Sequence, residues 1–156
     1  KLGDTWFIGP HATSATVTRQ LSIYRAELSR YGRPFPRELP IIREIFCARD
    51  RQTALEIAGP HLASKYGTYA RWGQDDALPA EDTFRRSFEE LLKDRFILGS
   101  PEECYEQLRP CWETLGVNYL ILRTHWSGLN IHSSSFRTVF CSWEKAIGYR
   151  GALDWR

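Results

Sequence analysis

Methionine is absent from the 156 residues of this chain, so the sequence carries no initiator residue. The chain opens on Gly3-Asp4-Thr5-Trp6-Phe7, a turn that leads directly into an apolar segment. A domain seldom begins on a buried strand with nothing before it. We therefore expect the sequence to be the C-terminal part of a longer protein, forming a single partial domain over residues 1–156.

Charge of one sign and long apolar runs are also scarce. Lys and Arg number 21 against 19 Asp and Glu, which leaves a formal net charge of +2, and no run of basic residues occurs. This balance predicts no nucleic-acid partner. No apolar segment approaches the roughly 18 residues that a membrane-spanning helix needs, and no charged-then-apolar leader is present. We therefore expect a cytoplasmic protein that binds neither nucleic acid nor membrane.

The four cysteines lack the spacing of a metal site. Cys47, Cys104, Cys111 and Cys141 form no Cys-x-x-Cys pair, and no histidine lies at zinc-ligand spacing from two of them. We expect no metal site and buried thiols in a reducing compartment, with a disulfide or a metal role as the alternative.

The clearest pattern that is present is a capped helix between two apolar segments. Ser100, followed by Pro101 and by Glu103, predicts a helix start with a capping box. Gly116 predicts the helix end in a left-handed conformation. The apolar run 117–122 that follows is typical of a strand covered on both faces. A helix between two such strands indicates the β/α unit of a parallel sheet.

The remaining periodicity repeats this alternation. The sequence predicts strands near residues 5–8, 39–48, 95–99 and 117–122, and helices near residues 14–31, 51–72, 80–94, 101–115 and 136–147. Pro60 is expected to kink or break the second helix. The predicted fold class is α/β, with parallel strands and outer helices.

Four segments, in order and with matching spacers, resemble the luciferase-like family of flavin-dependent monooxygenases. They are residues 3–7, 39–48, 66–73 and the motif 95–103 with 115–123 behind it. The resemblance covers about residues 3–130, and residues 131–156 form a predicted final helix and tail. It implies that the chain is the C-terminal part of a TIM-type β/α barrel, with about three strands and their helices.

The resemblance also implies an activity. It is that of an oxidoreductase acting on paired donors with incorporation of molecular oxygen, with reduced FMN as cofactor and a small organic substrate. The missing N-terminal barrel half, or another subunit, is the implied partner. Two alternatives remain open: a deazaflavin-dependent oxidoreductase of the same fold, and a non-catalytic truncated paralogue or fragment acting as a partner subunit.

Candidate site residues lie where barrel strands end, because barrel enzymes build their sites there. His11 is the candidate general base, with an ordinary histidine as the alternative. Gly9, Arg43, Arg123 and Trp126 are candidates for binding the cofactor. Gly9 would let a planar ring approach the backbone, and Arg43 would be a buried charge facing the barrel interior. The alternatives are a turn glycine for Gly9, a structural ion pair for Arg43 and a solvated arginine at a strand end for Arg123.

Overall fold

A computed structural model describes residues 5–124 of the chain. The expectations for Cys141, for Trp126 and for a helix near 136–147 lie outside these residues. In chain order the elements are α1 (Ser14–Arg30), β1 (Pro40–Cys47), α2 (Arg51–Arg71), a 3-10 turn (Ala80–Asp82), α3 (Phe88–Leu92), β2 (Phe96–Gly99), α4 (Pro101–Glu113) and β3 (Tyr119–Arg123).

The three strands form one parallel sheet in the order β2-β1-β3. The carboxyl half of β1 pairs with β2, so that Cys47 lies opposite Gly99. The amino half pairs with β3, so that Glu44 lies opposite Arg123. The connection through α4 therefore joins the two outer strands and passes over β1. The α/β class with parallel strands is confirmed.

Alternate side chains of β1 enter two different apolar clusters. Ile41, Ile45 and Cys47 pack with residues of α1 and α4 on what we call the α4 face. Phe46 packs with residues of α2 and with Phe84 on the opposite side, which we call the α2 face. Because successive side chains of a strand point to opposite sides, Arg43 belongs to the α4 face and Glu44 to the α2 face.

The capped crossover is confirmed in detail. Oγ of Ser100 accepts from the backbone N–H of Glu103 at 3.2 Å, and the Glu103 carboxylate accepts from the Ser100 N–H at 2.8 Å. Gly116 has a φ of +74°, and beyond it the N–H of Val117 donates to the carbonyl of Cys111 at 2.9 Å. The last carbonyls of α4 thus gain donors, as a left-handed glycine permits.

The first and the last of the four predicted strands need correction. Residues 5–8 form only an isolated parallel bridge between Ile8 and Ile41. The expectation of a strand buried on both faces at 117–122 is wrong, since Tyr119 is 51% exposed and the rest of β3 is half-buried. The reason is position: β3 is an outer strand of the described sheet, and Leu120 and Leu122 pack only against the α4-face cluster.

The predicted helix over 80–94 is also wrong, because a buried carboxylate competes for its backbone. Oδ2 of Asp75 accepts from the hydroxyl of Thr83 at 2.7 Å and from the N–H of Phe84 at 2.8 Å. Thr83 is held extended by these bonds (φ −53°, ψ 147°). The segment therefore divides into the 3-10 turn and the five-residue α3.

Pro60 does not break α2, which continues from Arg51 to Arg71. An interior proline costs a helix about 3 kcal/mol. Burial of one stripe of α2 against the sheet opposes this cost, through Ala54, Ala58, Leu62 and Tyr66.

The thiols of Cys47, Cys104 and Cys111 are free and buried, as expected. Among the described helices, none has the length and apolar character required to cross a membrane.

Candidate functional site

Glu44 is the centre of a polar cluster on the α2 face. It lies near the middle of β1, opposite Arg123 at the end of β3, and its side chain is 1% exposed. Its Oε1 accepts hydrogen bonds from Nζ of Lys65 at 2.7 Å and from Nη1 of Arg123 at 3.2 Å. Lys65 belongs to α2, and Arg123 ends β3. Three elements therefore converge on one carboxylate oxygen.

The cluster lies where the covered part of the α2 face meets an open part. Toward the carboxyl end of β1, Phe46 is covered by α2 and its cluster. Toward the amino end, Ile42 and Ile121 are half-buried on the same side of the sheet. The side chains of Lys65 and Arg123 are 22% and 36% exposed. Both cations of the cluster are therefore partly accessible to solvent.

Two buried polar atoms near this boundary have no hydrogen-bond partner in the described part of the chain. They are Oε2 of Glu44 and the hydroxyl of Tyr66. Burial raises the pKa of Tyr66 well above its usual value, and the negative charge of Glu44 adds to the effect. The phenol is therefore neutral and can donate a hydrogen bond. Leaving such atoms unpaired costs about 1–3 kcal/mol each.

His11 lies beside the cluster in an aromatic environment. Its ring meets those of Tyr66, Tyr69 and Phe84 edge-on, with centroid distances of 6.1, 5.5 and 5.5 Å. Burial lowers the pKa of His11 below its usual value; Glu44 opposes the change, and nearby cations add to it. The imidazole is thus neutral near pH 7 and can accept a proton.

Arg95 links this environment to the segment before α3. Its Nε donates to the carbonyl of His11 at 2.9 Å, and its Nη2 donates to the carbonyl of Asp82 at 3.0 Å. The guanidinium also lies over the rings of Tyr66 and Phe84, at 5.9 and 5.4 Å from their centroids. Arg95 therefore fixes the backbone that carries His11.

The structure brings together two of the residues singled out in the sequence, His11 and Arg123, because both surround Glu44. Gly9 precedes His11 by two positions, and a Cβ built on it would meet nothing within 4 Å. The backbone there has open space beside it but no conformational need for glycine. Trp126 lies outside the described residues.

Arg43 lies on the other side of the sheet from this cluster. Its Nη1 donates to the carbonyl of its neighbour Ile42 at 3.2 Å, and its Nη2 has no partner among the described residues. Burial lowers the pKa of Arg43, while a contact with the thiol of Cys111 in α4 opposes the change. Arg43 and Arg123 therefore lie on opposite faces of the sheet, and the role of Arg43 in binding a cofactor stays a prediction.

Sequence reasoning missed Glu44, Lys65, Tyr66 and Arg95. One signal was visible: Glu44 is a carboxylate within the same apolar run that drew attention to Arg43. Deciding which of two adjacent charges faces the site requires the register between β1 and β3.

Comparison with solved structures places this geometry in a known fold. The chain is similar to monooxygenase RslO1 from Streptomyces bottropensis, with a TM-score of 0.63 and 18% identity, over 88% of this chain and 39% of that one. It is similar to flavoprotein 390, with a TM-score of 0.69 and 14% identity, over 96% of this chain and 60% of the other. A third similar structure is the oxygenating constituent of 3,6-diketocamphane monooxygenase from Pseudomonas putida, a type II Baeyer-Villiger monooxygenase in complex with FMN. Its TM-score is 0.57 at 15% identity, over 88% of this chain and 40% of that one.

The chain has the fold of a part of the luciferase-like monooxygenases. The resemblance expected from the sequence is thereby confirmed at the level of the fold. No protein-family model matches the chain, and no curated protein matches it. The chain spans 39–60% of the length of these three luciferase-like structures.

Proposed function

We propose that this chain supplies the flavin- and substrate-facing wall, at the Glu44 cluster, of an FMN-dependent monooxygenase acting on a small organic substrate. The observation that carries the proposal is the pair of unpartnered buried atoms, Oε2 of Glu44 and the hydroxyl of Tyr66, beside an open strand face. In β/α barrels the carboxyl ends of the strands build the active site.

The residues of the cluster fit a flavin ring. The polar edge of the ring carries both N–H donors and carbonyl acceptors. Glu44 Oε2 offers an acceptor, and the hydroxyl of Tyr66 offers a donor. Lys65 and Arg123 are exposed enough to contact a carbonyl oxygen of the ring or an acidic group of a substrate. When bound, reduced flavin would supply electrons to molecular oxygen.

The protein side chains would bind and orient the flavin and the substrate, and they would exclude water from the site. The aromatic rings around His11 provide an apolar wall, which keeps its imidazole neutral and able to take a proton from a reacting group. Arg95 holds the His11 backbone in place. The family resemblance implies that most contacts with the flavin phosphate come from the part of the fold that this chain does not span.

A further polypeptide segment is part of this proposal. In residues 5–124, β2 and β3 have no strand on their outer sides, and Tyr119 of β3 is 51% exposed. Open strand edges favour pairing with another segment. We propose that the preceding barrel half, or another subunit carrying it, pairs there. A subunit without catalytic activity of its own is the second candidate, and the same open edges favour it.

The proposal is tested by titrating oxidised FMN with the purified chain and following flavin fluorescence, then repeating the titration with reduced FMN under anaerobic conditions. Quenching with a dissociation constant of tens of micromolar or below is the expected result. Glu44→Gln should weaken binding about tenfold or more, which corresponds to about 1.4 kcal/mol.

Glu38→Gln is the matched control, because it removes the same charge at an exposed position. It should leave the dissociation constant unchanged. A deazaflavin titrated in parallel separates the two cofactor classes. Absence of quenching by either cofactor would contradict flavin binding by this chain and favour the subunit role.

A further inference from the structure

Two buried cysteines meet at the carboxyl end of β1, on the face opposite Glu44. Cys47 is the last residue of β1, and Cys104 lies in the first turn of α4. Both belong to the α4-face cluster. The sequence separates them by 57 positions, and the fold brings them together through β2, whose Gly99 pairs with Cys47.

Hydrogen bonds locate both sulfur atoms around the same short stretch of backbone. Sγ of Cys104 lies 3.6 Å from the carbonyl of Gly99 and 4.0 Å from that of Phe46. Sγ of Cys47 lies 3.7 Å from the carbonyl of Ala48. Each thiol also shifts the pKa of the other, so the two side chains lie within interaction range. Phe46 precedes Cys47 and Gly99 lies opposite it in the sheet, so Sγ of Cys104 lies beside the end of β1 that carries Cys47.

The two thiols are not equivalent. The hydrogen bond from Cys104 lowers the pKa of Cys47, while burial and the nearby Glu102 and Glu103 oppose the change. The same contact, together with burial, raises the pKa of Cys104. The interaction between the two thiols therefore favours the thiolate on Cys47 rather than on Cys104. Cys47 also has the greater access to small molecules, since it is 7% exposed and Cys104 is 0% exposed.

We propose that Cys47 and Cys104 form a redox-active pair, in which a hydroperoxide oxidises Cys47 and Cys104 then closes a disulfide. The Cys47 thiolate attacks the peroxide oxygen and breaks its O–O bond, which leaves a sulfenic acid and releases hydroxide, or the alcohol in the case of an organic peroxide. The sulfur of Cys104 then attacks the sulfur of Cys47, loses its proton and expels water. Overall, two thiols are oxidised and one peroxide is reduced.

The disulfide would join the end of β1 to the first turn of α4. These elements are already adjacent through the capped start of α4 at Ser100, so the bond adds a covalent link where packing alone now holds them. The site lies on the α4 face, and the Glu44 cluster lies on the α2 face. The proposal therefore stands independently of the proposed flavin function.

Cys111 provides an internal control. It is buried on the same helix as Cys104, and it contacts Arg43. Burial raises its pKa, while the Arg43 contact opposes the change. A general reaction of buried thiols would include Cys111, whereas a specific pair would spare it.

The test uses the full chain carrying Cys141→Ser, so that the thiol outside the described residues does not contribute. The folded protein is treated with hydrogen peroxide, denatured, alkylated with N-ethylmaleimide and analysed by intact mass and peptide mapping. We expect two fewer alkylated thiols per chain, a peptide linkage between Cys47 and Cys104, and full recovery of both thiols with dithiothreitol. Cys111 should remain alkylated.

Variants define the order of the steps. In a Cys104→Ala chain, Cys47 should stop at the sulfenic acid, which dimedone labels, whereas a Cys47→Ala chain should yield neither the disulfide nor the dimedone label. Cys111→Ser should behave like the parent. Peptide mapping of the parent needs no variant, so a variant that fails to fold does not remove the test. Linkage through Cys111, or retention of all thiols in the peroxide-treated folded parent, would overturn the proposal.

Discussion

The two faces of β1 bury opposite charges in different ways. On the α2 face, Glu44 shares one oxygen with two cations that reach solvent. On the α4 face, Arg43 is enclosed by apolar side chains and donates to a neighbouring carbonyl. The residues are adjacent in the sequence, yet one belongs to an accessible polar cluster and the other to the packed interior. Burial of a charge is therefore a weak guide to function, and the surroundings of the charge decide its role.

The largest effects should come from apolar packing, which both faces share. Tyr66→Ala removes a ring that contacts Phe84 and Phe96 at centroid distances of 4.9 and 4.8 Å. It should lower the free energy of unfolding by about 3–5 kcal/mol, and Leu108→Ala on the α4 face should cost about 2–5 kcal/mol. Urea denaturation followed by circular dichroism measures both.

Tyr66→Phe is the matched control for that comparison. It keeps the ring and removes only a hydroxyl that has no partner in the described part of the chain, so stability should stay unchanged or rise by about 1–3 kcal/mol. If Tyr66→Phe proves as damaging as Tyr66→Ala, the hydroxyl rather than the ring stabilises the α2 face.

A second large effect concerns the start of α4, which covers the Arg43 side. Gly99 has a φ of +151°, and a Cβ built on it would lie 2.6 Å from Oε2 of Glu103, the carboxylate of the capping box. Gly99→Ala should therefore cost about 2–4 kcal/mol through backbone strain and loss of the cap.

Gly9→Ala serves as the control for this substitution, because the added Cβ has open space. It should leave stability unchanged or raise it by up to about 1 kcal/mol through the unfolded chain. Equal losses in thermal melting for the two alanine variants would contradict the role given to Gly99.

Substitutions of the two buried charged residues, Glu44 and Arg43, should change the free energy of unfolding in opposite directions. Glu44→Gln leaves Lys65 and Arg123 close together without their counter-charge, and we expect a loss of about 1–2 kcal/mol, limited by their exposure. Arg43→Met replaces a guanidinium that lacks a carboxylate partner in residues 5–124 with an apolar chain of similar length. It should be neutral or stabilising by about 1 kcal/mol. Denaturant midpoints decide this, and a marked loss in Arg43→Met would show that the guanidinium has stabilising contacts beyond those with Ile42 and Cys111.

Local signals in the sequence were sufficient to predict where these helices begin and to predict the central strand, β1. Thr13, Asp50 and Ser100 each cap the helix predicted to follow, because the cap is a contact over three residues. The helix expected at 80–94 fails for the converse reason. Asp75 binds its backbone from outside the segment, and no periodicity within the segment records that contact.

The site was predictable in part. His11 and Arg123 follow from their positions at strand ends. The sequence could not show that Glu44 rather than Arg43 belongs to the candidate site. This depends on which side of β1 packs against α2 and on the register between β1 and β3. The contact between Lys65 and Glu44 joins residues 21 positions apart and depends on the packing angle of α2. Such tertiary contacts depend on strand register and helix packing, which the local sequence pattern does not determine.

The smallest predicted effect is a change in how stability depends on pH, and it comes from His11 on the α2 face. In the folded chain the pKa of His11 lies below its usual 6.5, chiefly because of burial, so the unfolded chain binds the proton more readily. The stability contributed by neutral His11 is fully present above pH 6.5 and is lost as the pH falls through the folded pKa. His11→Gln should therefore flatten the fall in unfolding free energy between about pH 8 and pH 5.5, where carboxylates contribute little. His61→Gln is the control, because it removes an imidazole that lies in α2 rather than beside the Glu44 cluster. If the His11→Gln chain keeps the slope of the parent, the α2 face holds no titrating histidine, and the pH response of the chain has another origin.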